Sequence, residues 1–398
     1  MSKTTPLLIA LVALAGCKGK RQREPDPAPV AEAPRVAAAI EDATVDAGAW
    51  PRLAHLPQVQ PLRVVTLPVK PDVPRFEVGG PVIAGDVAVV ASSQFGFAAV
   101  DWRRGTLLWT KPAGGHIAPP IVHGGSFVMI GQCLTAPAIP DGEQLLGCMR
   151  IAMPTGADEA YVAIHGKGLD AFAEAPGSQD LWNDGERSVR WRRGDSAVVI
   201  DVVSGVARPA SAAPPPVIVS YKDHRWEVAQ VEGRVIAREG TREAWSTKHP
   251  YTALLGAVYL PEQSPMIRVA NLGAFAGEPE VNLLDIDATG SMNGQAAFPV
   301  PGIGLFGFAT SSIGDVALAV RLDTSLQHDF IAGYAANALL MWVYALPVIP
   351  RADPVGVAIA SEAVVVFHDG ETVTVLPELL APPTAPGAAR APSQNPTP

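Results

Sequence analysis

The chain has 398 residues, 48% of them hydrophobic and 17% charged, so it can bury a substantial core within one large all-β domain or two ordinary domains. Thirty Lys and Arg against 39 Asp and Glu leave a formal net charge of −9, which argues against nucleic acid as a partner. Past the first segment, no stretch reaches the roughly eighteen uninterrupted apolar residues that a membrane-spanning helix needs.

At the N-terminus, Lys3 precedes the apolar run Pro6 to Leu14, which continues into Leu14-Ala15-Gly16-Cys17. That run is too short to span a bilayer, and the small residues before the cysteine let the backbone lie extended in a peptidase cleft. The pattern resembles the signal peptide and lipobox of bacterial lipoproteins. The resemblance implies removal of residues 1–16 and acylation of Cys17 at its thiol and its new amine. Several acyl chains, at about 0.8 kcal/mol per buried methylene, make such an anchor effectively permanent. A plain signal peptide with a chance cysteine is the alternative. Lys18 stands where the enterobacterial inner-membrane signal is an aspartate, so the expected location is the outer membrane, facing the periplasm. Membrane contact is then expected through the lipid alone.

Residues 17–58 are rich in Ala, Pro and acidic side chains, open with the basic run Lys18 to Arg23, and show neither helical nor strand periodicity. They are expected to form a flexible tether. The folded domain is expected over 59–380, followed by a disordered Pro/Ala-rich tail over 381–398.

The clearest pattern begins at Pro81. The runs Pro81 to Ala84, Val87 to Ala91, Phe97 to Asp101 and Thr106 to Trp109 are separated by Gly85-Asp86, Ser92 to Gly96 and Arg103-Arg104-Gly105. They parse as four antiparallel strands joined by tight turns. The arrangement Ala99-x-Asp101-x-x-x-Gly105-x-x-x-Trp109 resembles the repeat of the pyrroloquinoline-quinone-type β-propellers, in which the tryptophan docks between neighbouring blades. That family includes the lipoprotein propeller subunit of the outer-membrane β-barrel assembly machinery. The resemblance implies blade-docking roles for Asp101, Gly105 and Trp109.

Weaker echoes follow, ending third strands at Met153 to Gly156, Val198 to Gly205, Val235 to Gly240, Leu283 to Gly290, Ile331 to Tyr334 and Val373 to Leu376. They recur about every 40 to 50 residues, the period of propeller blades. Trp342 matches the docking position with Ala338 where the glycine would stand, and Trp245 sits one residue further from its glycine. The last repeat stops at Pro377 after its third strand, so Arg63 to Val69 is expected to supply the fourth and close the ring. The expected fold is a single all-β propeller of seven four-stranded antiparallel blades. Eight blades, six blades and a pair of β-sandwiches are the alternatives.

Once Cys17 is acylated, Cys133 and Cys148 remain, flanked by the strand-like runs Ser126 to Ile130 and Met149 to Met153. A disulfide at the base of this insert is expected in an oxidising compartment. Two free buried thiols are the alternative; a metal role is poorly matched, since the spacing is neither C-x-x-C nor a zinc pattern.

A quinoprotein dehydrogenase of this fold would carry a tryptophan floor, a calcium site, a catalytic aspartate and usually a vicinal cysteine pair, and the chain has no Cys-Cys. It also lacks G-x-S-x-G, H-E-x-x-H and a Walker-type loop. Asp285 and Asp287 are expected to cap a turn, and His116, His123 and His165 to be solvated. No cofactor, no metal and no catalytic residue is expected. Function is then expected from surface loops, with the 133–148 insert and the segment Ala173 to Arg193, carrying Trp182 and Trp191, as candidate partner sites. These readings together describe a non-enzymatic envelope scaffold, a monomer within a complex of envelope proteins, with outer-membrane protein assembly as the process the resemblance implies. A periplasmic ligand sensor using the central channel is the second reading.

Overall fold

The structure, a computed structural model, describes residues 57–379 except 69–76, 114–116, 176–178, 214–215, 222–223, 232, 248–251, 259–265, 276–277, 288–289, 298–303, 312–313, 324–327, 336–338 and 347–354. The signal, the lipobox with Cys17, nearly all of the tether, the tail, His116 and Ala338 lie outside the described residues.

The ring consists of seven four-stranded antiparallel sheets. The first described strand, β1 (Arg63–Thr66), belongs to the last blade. Blade 1 is β2 (Glu77–Ala84), β3 (Val87–Ser92), β4 (Gly96–Asp101) and β5 (Thr106–Lys111). Blade 2 is β6 (Ile121–His123), β7 (Ser126–Gly131), β8 (Gln144–Ala152) and β9 (Asp158–Gly166). Blade 3 follows a one-turn helix, α1 (Asp170–Ala173), and comprises β10 (Gln179–Asn183), β11 (Ser188–Arg193), β12 (Ser196–Asp201) and β13 (Ala207–Ala210). Blade 4 is β14 (Val217–Tyr221), β15 (His224–Val231), β16 (Arg234–Glu239) and β17 (Arg242–Ser246). Blade 5 is β18 (Thr252–Val258), β19 (Met266–Phe275), β20 (Glu278–Ile286) and β21 (Met292–Ala297). Blade 6 is β22 (Gly304–Thr310), β23 (Val316–Asp323), β24 (His328–Tyr334) and β25 (Leu340–Ala345). Blade 7 is β26 (Gly356–Ile359), β27 (Ala363–His368), β28 (Thr372–Pro377) and β1.

All seven third strands fall where the sequence repeat places them, and β1 pairs with β28 in the register Arg63↔Val375 to Thr66↔Thr372. This closure satisfies the edge that β28 would otherwise expose. The chain reaches β1 along blade 6: Val343 donates its amide to Pro57 O at 2.7 Å, and Val59 donates to Val343 O at 3.1 Å. Residues 57–59 thus add a parallel bridge outside β25 before the chain enters blade 7.

Apolar alternation explains the central strands. In blades 1, 2 and 7, strands β4, β7 and β27 bury every residue, because each sheet is covered by a neighbour on both faces. The helix α1 was not expected from the sequence. It is a connector, held by Leu169 and Phe172, both buried in the core shared by blades 2 and 3.

The turn between third and fourth strands follows from the Asp-x-x-x-Gly pattern. Gly105, at φ +69°, donates to Asp101 O at 2.8 Å, and the Asp101 carboxylate accepts the Arg104 amide at 2.8 Å. The same turn recurs in blade 3, where Asp201 accepts amides from Val203 and Ser204. Those bonds, the Ser204 amide first, hold the Asp201 carboxyl below its ordinary range.

Candidate functional site

The fourth strand of each blade meets the turn of the next, and this is where the docking residues lie. Trp109 on β5 donates from Nε1 to Pro154 O at 3.1 Å, and its ring covers Gly156, where a Cβ would come within 2.6 Å. Opposite Trp109 within its own blade stands Ala99, small enough to let the ring lie across the sheet. Trp245 covers Gly290 in the same manner with Ala237 opposite, and Trp342 donates to Glu378 O at 3.3 Å with Gly333 opposite. At the ring closure the side chain of Arg63 occupies this position against Gly105. Between blades 2 and 3 backbone replaces the ring, as His165 donates its amide to Gly205 O at 3.1 Å.

The insert of blade 2 is stapled by a Cys133–Cys148 disulfide with Cα atoms 4.9 Å apart. Cys148 lies within β8 rather than before it. At the end of the insert, Glu143 Oε2 lies 2.5 Å from His165 Nδ1, and Gln144 accepts the Leu169 amide at 3.0 Å. His165 is therefore paired rather than solvated as its sequence setting suggests. His123 is also engaged, with Asn183 Oδ1 at 2.8 Å and Glu186 O at 3.0 Å, linking blades 2 and 3. Replacing both cysteines with serine is expected to cost about 3 kcal/mol, the chain-entropy value for a loop of this length. The check is thermal unfolding, in which reductant should bring the wild-type midpoint down to that of the variant.

The segment Ala173 to Arg193 is not a loop. It contains β10 and β11, the two inner strands of blade 3, and this corrects the expectation for Trp191. That ring is 4% exposed, packs edge-on against Phe172 at 4.7 Å, and belongs to the core between blades 2 and 3. Leu181, Val189, Trp191, Val198 and Ile200 form the face toward blade 2. The intervening residues point the other way, toward blade 4, as strand alternation requires. Two rows cross this second face in register: Trp182–Arg190–Val199–Arg208 and Asp180–Arg192–Ala197–Ala210.

On that face Arg190 pairs with Asp184 at 2.6 Å and reaches Ser211 O at 3.4 Å. Arg192 bonds Asp180 through Nε at 2.9 Å and stands 5.8 Å from the Trp182 ring centroid. Trp182 is half-buried. Its Nε1, and Nε of its cross-strand neighbour Arg190, are buried with no acceptor among the described residues.

Asp285 is not a turn cap. It forms a bidentate ion pair with Arg268, its register partner on β19, with both contacts at 2.7 Å. Arg268 is 0% exposed and also donates to Gly314 O in blade 6. Asp287 is the capping residue, accepting the Ser291 amide at 3.0 Å.

One constellation has the outline of a catalytic triad. His368 Nε2 lies 2.9 Å from Thr374 Oγ1, and Nδ1 lies 3.0 Å from Asp369 Oδ2 outside hydrogen-bond geometry. Thr374 is 1% exposed within β28, between β27 and β1, so its hydroxyl has no room for a substrate. Tyr344 of blade 6 closes the network, and burial pushes its phenol up. The group fastens blades 6 and 7. Among the described residues, no three His, Cys, Asp or Glu side chains converge as metal ligands would.

No protein-family model and no curated protein matches the chain. Solved structures do. BamB from Moraxella catarrhalis is 12% identical, with 76% of this chain and 85% of that one covered at a TM-score of 0.38. A chain of the mitotic checkpoint complex is 11% identical, covering 87% and 99% at 0.46. The C-terminal WD40 domain of Sif2 is 12% identical, covering 79% and 81% at 0.39. At such scores the fold rests on the chain's own sheet order, which is that of a seven-bladed β-propeller.

Proposed function

We propose that the protein is a non-enzymatic scaffold of the cell envelope, anchored by acylated Cys17 to the periplasmic side of the outer membrane, that holds a protein partner. Assembly of outer-membrane proteins is the process to test first. The signal and lipobox residues support the anchor, and the Ala99, Asp101, Gly105 and Trp109 repeat supports the kinship that suggests the process. The observation that carries the scaffold reading is the second face of blade 3. Trp182, Arg190 and Arg192 are residue types enriched at interface hot spots, and here they sit on paired strands. Strand pairing fixes them in advance, which lowers the ordering cost of binding.

The test is a crosslinking pull-down of the membrane-extracted full chain beside Trp182→Ala and Cys17→Ser. Recovery of a defined envelope complex, lost with Trp182→Ala, is the expected result. Cys17→Ser should leave the membrane fraction and carry no radiolabelled palmitate. Recovery of nothing specific with the wild-type chain overturns the scaffold, and retention of the label by Cys17→Ser overturns the anchor.

A further inference from the structure

A docking residue on the fourth strand of one blade reaches the segment that follows the third strand of the next. Trp109, Trp245 and Trp342 do so from β5, β17 and β25, with Ala99, Ala237 and Gly333 opposite them. The ring closure departs from this pattern. Arg63 on β1 stands opposite Val375, and its aliphatic stem lies over Gly105, where a Cβ would meet Arg63 Cδ at 3.0 Å and Cγ at 3.1 Å. An indole is broader than that stem, and a cavity of about 310 Å³ remains beside it, where blades 7 and 1 meet. Leu62, Ala363 and Val375 give the cavity its apolar lining, and Arg63, Arg103 and Glu362 its charged lining. The volume stands at the small end of the range for ligand pockets, about 300–1,000 Å³, which suits a side chain and its neighbour rather than a cofactor. The cavity can be reached from solvent: Leu62 is 48% exposed, and the side chains of Arg103 and Glu362 are 41% and 58% exposed.

We infer that this pocket at the ring closure docks an aromatic side chain that stands next to a carboxylate in a partner protein. This rests on the scaffold reading and adds a second point of contact, apart from Trp182. The aromatic part follows from what the fold places at the matching positions: Trp109, Trp245 and Trp342 fill them with an indole of the chain itself, whereas the closure has the narrower stem of Arg63. The carboxylate part follows from charge. Arg103 is held on two sides, by Asp86 at 2.7 Å through Nε and by Glu362 at 2.8 and 3.1 Å through Nη1 and Nη2. Those bonds engage Glu362, the carboxylate in the pocket lining. Arg63 donates to Leu62 O at 2.5 Å and has no carboxylate partner among the described residues. The pocket thus presents one uncompensated positive charge beside an apolar surface. A ring would bury apolar area against Leu62, Ala363 and Val375 and could lie on a guanidinium face, while the neighbouring carboxylate pairs with Arg63. Because Arg63 belongs to a strand paired with β28, its position is fixed before binding.

The probe is a blocked, fluorophore-labelled hexapeptide with Asp-Trp at its centre, beside Asn-Trp and Asp-Ala counterparts. Each is added to the detergent-solubilised full chain and followed by fluorescence anisotropy, with empty micelles as the blank. The Asp-Trp peptide is expected to bind at least tenfold more tightly than either counterpart. Arg63→Met keeps a stem over Gly105 and removes the charge, so it should bind the Asp-Trp and Asn-Trp peptides equally. The double variant Arg63→Trp/Val375→Ala sets an indole opposite a small residue, as Trp109 stands opposite Ala99, and should bind none of the three. Its unfolding curve shows whether it is folded; if it is not, the comparison with Arg63→Met decides. Equal binding of the Asp-Trp and Asp-Ala peptides, a preference for Asp over Asn that survives Arg63→Met, or undiminished binding by the folded double variant would each overturn the inference. Peptide binding reads the pocket and the pull-down reads the scaffold. A failed peptide test beside a complex still recovered removes the pocket and leaves the scaffold, whereas a wild-type pull-down without a specific partner removes the scaffold.

Discussion

Replacing Asp285 with alanine is expected to destabilise the protein by about 3–5 kcal/mol, among the largest effects of any single side chain away from the apolar core. The reason is the state of the residue left behind. Arg268 is 0% exposed and its pairing with Asp285 is bidentate, so the truncation strands a guanidinium beyond the reach of water without its carboxylate. Asp285→Asn keeps shape and one acceptor and should cost less. The double change Arg268→Met/Asp285→Leu removes the charge and its partner together, and should recover most of the loss, because a well-packed apolar pair is often as stable as a buried ion pair. Urea unfolding of the four proteins measures this directly. If the double variant is no more stable than Asp285→Ala, the cost belongs to packing rather than to the unpaired charge.

Trp109→Ala is expected to cost about 3 kcal/mol, toward the low end for a large aromatic because the ring is half-buried. Its informative partner is Gly156→Ala. A Cβ at Gly156 would stand 2.6 Å from the Trp109 ring, and the residue sits at φ +92°. The substitution therefore carries a clash and a backbone penalty. In the Trp109→Ala background the clash vanishes and the backbone penalty stays, so the two changes together should cost less than the sum of the singles. Strict additivity in unfolding free energy would show that ring and turn do not press on each other in solution.

The architecture was legible because two signals coincide in the first and third repeats, and the strand-like run recurs at the same period in the others. The β-branched and alanine-rich runs mark the third strands, and the Asp-x-x-x-Gly turn marks where they end. Both are local, and both are dictated by hydrogen bonds within a few residues, as at Asp101 and Gly105. Ring closure was legible for a different reason: a blade without a fourth strand must find one, and Arg63 to Val69 was the free strand-like run, of which Arg63–Thr66 pairs with β28.

The segment Ala173 to Arg193 stood out in the sequence, but not as the pair of strands that it forms. Trp182 and Trp191 stand out among charges, which reads as a loop. In fact Val189 and Trp191 alternate with Arg190 and Arg192, the period-two pattern of a strand with one apolar and one polar face. The arginines concealed the strand because the polar face looks onto a neighbouring blade. Asp285 misled in the opposite direction: its sequence neighbours suit a turn, and only the register with Arg268 reveals the buried pair. The His368 and Thr374 contact leaves no trace in the sequence, since both lie inside Val-rich strands that need no polar residue to form.

The pairing of Arg63 with Val375 also has a temporal side. The strand that emerges first during synthesis is the one whose ladder is completed last, so β1 must wait as an open edge while six blades and most of a seventh are made. Contacts so distant in sequence contribute the slowest closures in folding. Each blade can pair its own hairpins early, but the ring as a whole is committed only when the C-terminal strands arrive. Refolding should therefore show fast recovery of strand signal and a late phase that docks residues 63–66, and a chain ending before β28 should leave that first strand without a place.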